Sequence, residues 1–250
     1  MENIGSLFFE LSNDERMMIL NNLNIESLKL SHLIKKQDMT PTEASRHLQR
    51  LTDIDLISKD ADNFYRITPY GKIVLSIIPT LSFVFKNRQY FKEHDTSVLP
   101  PEFIARFGEL SEYSFKMDTI SNLVHHEKIV KEADEFCWAV ADQFHLSAPP
   151  IVTERLKEGV DFRSVLPENV VPPVGFKPAV GVQRRVYPNL NVSVIASDKE
   201  AVFGLPYLNG RMDYAQFFSR DPSFIKWCKD LFLFYWDRAK PMISPFPSMN

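Results

Sequence analysis

Five side chains in the stretch Thr40-Pro41-Thr42-Glu43-Ala44-Ser45-Arg46-His47-Leu48-Gln49-Arg50-Leu51 are of the types that bond base edges and phosphate oxygens: Thr42, Ser45, Arg46, Gln49 and Arg50. Arginine presents a planar fork to guanine or phosphate, glutamine pairs with adenine through two bonds, and hydroxyls serve either. Their spacing gathers them. Ala44, Leu48 and Leu51 recur at i, i+4 and i+7 and define one buried helical stripe, which leaves the five polar residues on the opposite face. Thr40 fits an N-cap, Pro41 the first helical position, and Glu43 closes a capping box three residues after the cap. This is the design of a helix that reads DNA. Arg46 and Gln49 are expected to contact bases, and Thr42, Ser45 and Arg50 to hold phosphates or neighbouring base edges.

Such a helix needs elements that position it. Upstream, Ser12-Asn13-Asp14-Glu15 is a second capping box, opening a helix in which Met18, Ile19 and Leu23 recur at helical spacing. After a break at Asn24-Ile25-Glu26, the run from Leu28 to Lys36 reads as another helix, with Leu30, Leu33 and Ile34 inward. Gln37-Asp38-Met39 is then a turn of the length that joins a helix-turn-helix. Downstream, Leu56–Lys59 and Phe64–Ile67 read as strands around a polar turn, a hairpin in the position of a wing, with Lys59 and Arg66 expected to reach the adjacent DNA backbone. Residues 1–72 carry nine lysines and arginines against eleven aspartates and glutamates, a net −2, whereas nucleic-acid domains are usually basic. Four of the nine cations (Arg46, Arg50, Lys59 and Arg66) lie on the expected recognition helix and wing, so the surface there is locally positive. The alternative is a winged helix that docks on a protein of the transcription machinery.

The whole chain, 250 residues with 44% hydrophobic and 24% charged residues and a net charge of −3, suits one large or two modest globular domains. No apolar run approaches the roughly 20 residues of a membrane span. Glu2 stands where a signal peptide would carry positive charge, so a cytoplasmic location is expected and no membrane partner. Cys137 and Cys228 are lone thiols among apolar neighbours, which give neither a disulfide framework nor a metal motif. Neither a cofactor nor a metal site is expected. Eight glycines leave few candidates for a nucleotide-cradling loop.

After the wing, Thr68-Pro69 reads as the start of a helix ending at Pro79. Phe83, Val84, Phe85, Tyr90 and Phe91 are too many large apolar residues for an exposed connector. Either they pack on a second domain or, the favoured reading, they form a homodimer contact, since winged-helix regulators usually read two half-sites. His94 to Pro101 reads as a hinge. Helical patterns follow over 102–134, then a strand at Phe136–Val140, a helix at Ile151–Glu158 and a strand at Val160–Leu166. Further strands are expected over 191–197 and 201–205, and a closing helix from Pro222 to Arg238 whose aromatics read as core. The alternation argues an α/β domain. The expected boundaries are a DNA-binding domain at 1–72, linker and dimerisation helices at 73–95, an effector-sensing domain at 96–241 and a flexible tail at 242–250.

A set of stretches matches a known family: Leu7–Ser12, the Thr40–Leu51 helix, Tyr65–Gly71, Leu99–Phe103, Ala141–Gln143, Asp198–Ala201, Leu205-Pro206 with Gly210–Tyr214, and Trp227–Phe232 with Tyr235-Trp236. Through them the chain resembles archaeal two-domain transcription regulators. These have an ArsR-like winged helix-turn-helix and the sensor domain named after methanogenesis and filament-formation regulators. The resemblance spans about residues 6–241 and implies promoter binding controlled by a small molecule at the second domain. Where family members carry metal-binding cysteines before the recognition helix, this chain has none, so it does not imply metal sensing. The implied fold is an α+β winged helix-turn-helix joined by helices to an α/β sensor domain resembling phospholipase D-like folds. Active members of that fold need His-x-Lys-x4-Asp. Here His126-Glu127-Lys128 begins the motif, Ala133 stands where the acid belongs, Asp134 comes one residue late, and no second copy exists. His125 and His126 are therefore expected on a helix surface, with no catalytic residue, and a hydrolase is the remoter alternative. Polar residues at strand ends are the candidates for an effector site: Asp142, Gln143, Arg184, Arg185, Asp198 and Arg211. The Arg184-Arg185 pair would suit an anionic ligand.

Overall fold

Side-chain caps set where the first helices begin. In a computed structural model that describes residues 3–243, Asn3 caps helix α1 (Ile4–Leu11) and Asn13 caps α2 (Asp14–Ile25), each side chain accepting a backbone N–H. Most of the expected 242–250 tail lies outside the described residues. Ser12, read from sequence as the cap of the second helix, instead ends α1 by donating its N–H to the Phe8 carbonyl. α1 itself was not expected, although Ile4, Leu7, Phe8 and Leu11 recur at helical spacing; Leu7 and Leu11 pack on the first core, Glu10 is buried, and Phe8 and Phe9 face outward. Leu28 and Lys29 are not the first turn of a helix but a short strand, β1 (Leu28–Lys29), and α3 (Leu30–Gln37) follows. Asp38 ends α3 in the left-handed region at φ 51°, and α4 (Pro41–Asp53) begins after that turn. Strands β2 (Ile57–Lys59) and β3 (Phe64–Ile67) form the hairpin, and β1 adds to its other side in the order β1-β3-β2. Ile19, Leu20, Leu23, Leu33, Leu48 and Leu51 fill the core beneath. Helix, turn, helix and hairpin are thus a winged helix-turn-helix.

Helix α5 (Pro69–Lys86) starts with the Thr68 hydroxyl accepting the Gly71 N–H at 2.9 Å. It does not stop at Pro79 but runs through it, and the chain divides into two compact units inside this helix, between residues 79 and 80. The expected boundaries at 72 and 95 differ because the intervening residues are not a linker. Phe83, Tyr90 and Phe91 pack into the core of the second unit with Phe107 and Phe217, so the favoured dimer role does not fall on them. Nor is His94 in a hinge. It is buried, its Nδ1 lies 2.7 Å from the Tyr90 carbonyl and its Nε2 2.9 Å from Asp213.

The second unit continues with α6 (Arg88–Glu93), a 3-10 turn, α7 (Pro101–Ala105) and another 3-10 turn. The helical pattern expected over 102–134 is interrupted by β4 (Ser114–Lys116), and α8 (Thr119–Glu132) follows. Then come β5 (Phe136–Val140), α9 (Ala148–Lys157), β6 (Asp161–Pro167), β7 (Gln183–Tyr187), β8 (Ser193–Ser197), β9 (Ala201–Gly204) and β10 (Gln216–Ser219). Helix α10 (Pro222–Arg238) and β11 (Lys240–Pro241) close it. Among the described residues these strands form one sheet in the order β11-β7-β6-β5-β8-β9-β10-β4, parallel across β7-β6-β5 and antiparallel elsewhere. Successive strand residues face opposite sides. Trp138, Val140, Val194 and Phe203 therefore pack toward the aromatic face of α10, while Cys137, Phe162, Ile195 and Val202 point to the side covered by α8 and α9. The aromatics of α10 are core: Phe224, Trp227, Phe232, Tyr235 and Trp236 are buried.

Candidate functional site

The capping box that opens α4 is complete. The Glu43 N–H reaches the Thr40 hydroxyl at 3.3 Å, and the Glu43 carboxylate accepts the Thr40 N–H at 3.0 Å. Ala44, His47, Leu48 and Leu51 are buried, which turns Thr42, Ser45, Arg46 and Gln49 to the exposed face. Arg46 makes no hydrogen bond or ion pair among the described residues. Gln49 donates its amide to Asp53 at 2.6 Å, a contact along the helix that a base edge can replace. On the hairpin, Lys59 is exposed with its ammonium 5.5 Å over the Tyr65 ring, and Arg66 is tied to Asp60 at 2.9 Å.

Arg50 stands differently. Its guanidinium grips the buried Glu10 carboxylate with two bonds, at 2.9 and 2.7 Å, and lies 5.0 Å over the Phe9 ring. Arg16 approaches the same carboxylate at 3.1 Å. The Arg50 bonds hold the Glu10 carboxyl below its ordinary pKa. Arg50 thus fastens α1 to α4. Spacing alone did not disclose this, because Glu10 and Arg50 lie 40 positions apart on different helices.

In the second unit a cavity of about 520 Å³ lies on the α8/α9 side of the sheet. Its floor is one cross-strand row in register: Arg184 on β7, Ser164 on β6, Ala139 on β5 and Ile195 on β8. Small side chains at Ala139 and Ser164 leave the room. Of the six residues expected at an effector site, Asp142, Gln143 and Arg184 line this cavity. Tyr214 donates its hydroxyl to Asp142 at 3.2 Å and accepts the Gln143 amide. Arg184 is half-buried, and burial lowers its pKa.

The other three are placed elsewhere. Arg185 is next to Arg184 on a strand and so faces the opposite side, where it donates to the Trp236 carbonyl at 2.7 Å and stacks 4.2 Å over that ring. The two arginines cannot grip one anion together. The Asp198 carboxylate accepts the backbone N–H groups of Asp134 and Glu135 at 3.0 and 3.1 Å, which fixes the turn into β5. Arg211 is exposed, 5.4 Å over the Tyr207 ring.

Sequence reasoning placed His126 on a helix surface; it is instead buried and lines the cavity. Its Nε2 is 2.7 Å from Gln216, and burial pushes its pKa down to about 4. The missed signal is the stripe Asn122, His126, Ile129 and Ala133, which at i, i+4, i+7 and i+11 is an inward face with polar members. His125 also turns partly inward, its Nε2 at 2.6 Å from Glu200. The interrupted His-x-Lys motif does not converge: Lys128 pairs with Glu132 at 3.7 Å, and Asp134 with Arg155 at 3.2 Å and with Lys199. Among the described residues there is no group of three or more histidine, cysteine or acidic side chains that could hold a metal ion. No helix among them is long and apolar enough to cross a membrane.

No family model and no curated protein matches the chain. Among solved structures, TrmBL2, an archaeal chromatin protein described as showing a novel mode of DNA binding, aligns with 86% of this chain and 88% of its own, at 15% identity and a TM-score of 0.44. Nuc from Salmonella typhimurium, a phospholipase D family member, aligns with 53% of this chain and 100% of its own, at 15% identity and a TM-score of 0.41. NucT from Helicobacter pylori aligns with 52% of this chain and 100% of its own, at 12% identity and a TM-score of 0.41. Likeness this distant carries no ligand, partner or activity over to this chain.

Proposed function

We propose that the chain is a cytoplasmic, sequence-specific transcription regulator of the ArsR-like archaeal kind. In this reading the first unit binds double-stranded operator DNA and the second binds a small-molecule effector. The observation that carries the DNA reading is the exposed face of α4. It holds Thr42, Ser45 and Gln49 around Arg46, a guanidinium with no hydrogen-bond or ion-pair partner among the described residues, on a helix rigidly started by its capping box. The hairpin beside it adds exposed Lys59 and Arg66. The effector reading is supported by the cavity under α8 and α9, with Asp142, Gln143 and Arg184 on its wall. Homodimerisation belongs to the same proposal, through the outward apolar residues of α5. No catalytic role is part of it, since His126, Lys128 and Asp134 are each engaged with different neighbours.

Binding of the purified chain to its own upstream DNA against an unrelated fragment, across a salt series, tests the reading. Specific binding that weakens as salt rises is expected. Arg46→Ala should cost about 1–3 kcal/mol and relax preference at one base pair if Arg46 reads guanine. A uniform loss on all sequences would make Arg46 a phosphate contact instead. Equal, weak binding to both fragments would favour the second reading, a protein-docking winged helix. That alternative draws on the net −2 of residues 1–72 and on the capture of Arg50 by Glu10.

A further inference from the structure

One charged group on the wall of the cavity in the second unit lacks the partner that burial demands, and it stands at one end of the floor. Arg184 is on β7 and the His126–Gln216–Ser193 chain reaches β8, three strand spacings away, or about 14 Å. The polar contacts of the Arg184 guanidinium are the carbonyls of Ala179 and Val182, all at 3.4 Å, the long limit of a hydrogen bond, and no carboxylate pairs with it among the described residues. A half-buried guanidinium without a counter-charge is costly, and its planar fork matches a carboxylate. Gln216 donates its amide N–H to the Ser193 hydroxyl at 2.8 Å and turns its oxygen to His126 at 2.7 Å. An amide oxygen only accepts, so His126 carries its proton on Nε2. Its Nδ1 is buried, closed to the cavity and without a partner among the described residues, so at this end His126 offers a ligand no polar atom.

We propose that this cavity binds an elongated carboxylate with an apolar body. The carboxylate sits on Arg184 and the apolar body runs along the floor toward β8. The inference rests on the effector reading of the second unit and gives that effector its chemistry. The row beyond Arg184, Ser164 and Ala139 with Ile195, is mainly apolar, and Val152 and Phe162 also line the space. One guanidinium balances one negative charge, so a carboxylate fits where a phosphate dianion would bury an unmatched charge. Two acids also line the cavity, Glu127 and Asp142, and both act on His145 rather than pairing with Arg184.

The test is calorimetric titration of the full chain with decanoate, decanol and decyl phosphate. In the same samples, affinity for the upstream DNA is measured with and without each compound. Expected is decanoate as the tightest, with decanol and decyl phosphate about tenfold weaker or worse. Arg184→Gln should make decanoate and decanol equal, and Arg184→Lys should restore part of the difference. Ala139→Leu, which fills the floor with an apolar side chain, should abolish binding of all three and guards against an Arg184 variant that does not fold. Decanol binding as well as decanoate, a preference unchanged in Arg184→Gln, or no binding of any compound overturns the ligand class. Carboxylate binding that leaves DNA affinity unchanged would support the ligand class and sink the regulator reading. Specific DNA binding with no carboxylate binding would do the reverse.

Discussion

His126 and Glu10 show how single buried polar groups organise the two units. The His126 ring is neutral in the folded chain because burial, partly opposed by its bond to Gln216, lowers its pKa from the ordinary 6.5 to about 4, with His145 and His125 adding repulsion against a proton. In the unfolded chain the same residue takes a proton near its ordinary pKa. Its contribution is therefore complete above about pH 6.5 and is lost as pH falls through the window down to about 4, at roughly 3 kcal/mol in all. His126→Gln keeps a donor for Gln216 and removes the titration. Its unfolding free energy, from urea melts between neutral pH and about pH 4.5, should fall less steeply with acid than the wild type's. Parallel curves for the two proteins would remove His126 from the acid response. Glu10 is shifted in the same direction and so has the same dependence: Arg50 holds its carboxyl low, so the stability it contributes is present at neutral pH and fades in acid. In both cases the sequence displayed the residue but not its partner, which lies 90 positions away for His126 and 40 for Glu10.

At the scale of elements, legibility followed local chemistry. α4 was readable because cap, proline, glutamate and apolar stripe all agree, and α10 because a capped proline start leads into a continuous aromatic face. β5 announced itself as a short apolar run. β7 did not, since its half-buried Gln-Arg-Arg-Val-Tyr carries two charges, nor did β10, whose Gln216, Phe217 and Phe218 are buried on both faces and show no alternation. The cavity floor is a row across four strands whose register is set by pairing, so it could be inferred only in pieces: Asp142, Gln143 and Arg184 were found, Ser164 and His126 were not. One junction was marked in the sequence without its reason. Gly71 opens α5 where the helix crosses the start of the wing, and a Cβ there would meet the Leu56 carbonyl oxygen at 2.1 Å and Ile67 Cγ1 at 2.9 Å. That oxygen already accepts the Thr68 N–H at 3.0 Å, so it cannot retreat without loosening the cap. Gly71→Ala should lower stability by about 1–3 kcal/mol, although alanine is the better helix former. A urea midpoint equal to or above the wild type's would show that the junction yields freely.

For the molecule as a whole, charge and exposed apolar surface point the same way. A net charge of −3 and a first unit of net −2 leave one copy few cations for DNA, and Glu10 and Asp60 already engage Arg50 and Arg66. Two copies on a two-fold site double the contacts without adding charge density to either. The surface proposed for such pairing is on α5, where Ile73, Ile77, Leu81 and Phe85 are 63, 52, 48 and 68% exposed and recur at i, i+4, i+8 and i+12. Residues four apart form a ridge of the kind that packs into the groove of a second helix. Val74 of this helix is buried in the core of the first unit and Phe83 in that of the second, whereas the ridge residues are in neither. Sedimentation equilibrium should find a dimer at micromolar concentration. Ile77→Lys with Phe85→Lys should give a monomer of near-native thermal stability, because neither residue is in a core. On a palindromic operator the monomer's slope of log affinity against log salt should fall to roughly half, since each copy brings its own phosphate contacts. A wild-type chain that sediments as a monomer would leave the α5 ridge without this role. A double variant that keeps the full salt slope would show that the copies meet through another surface.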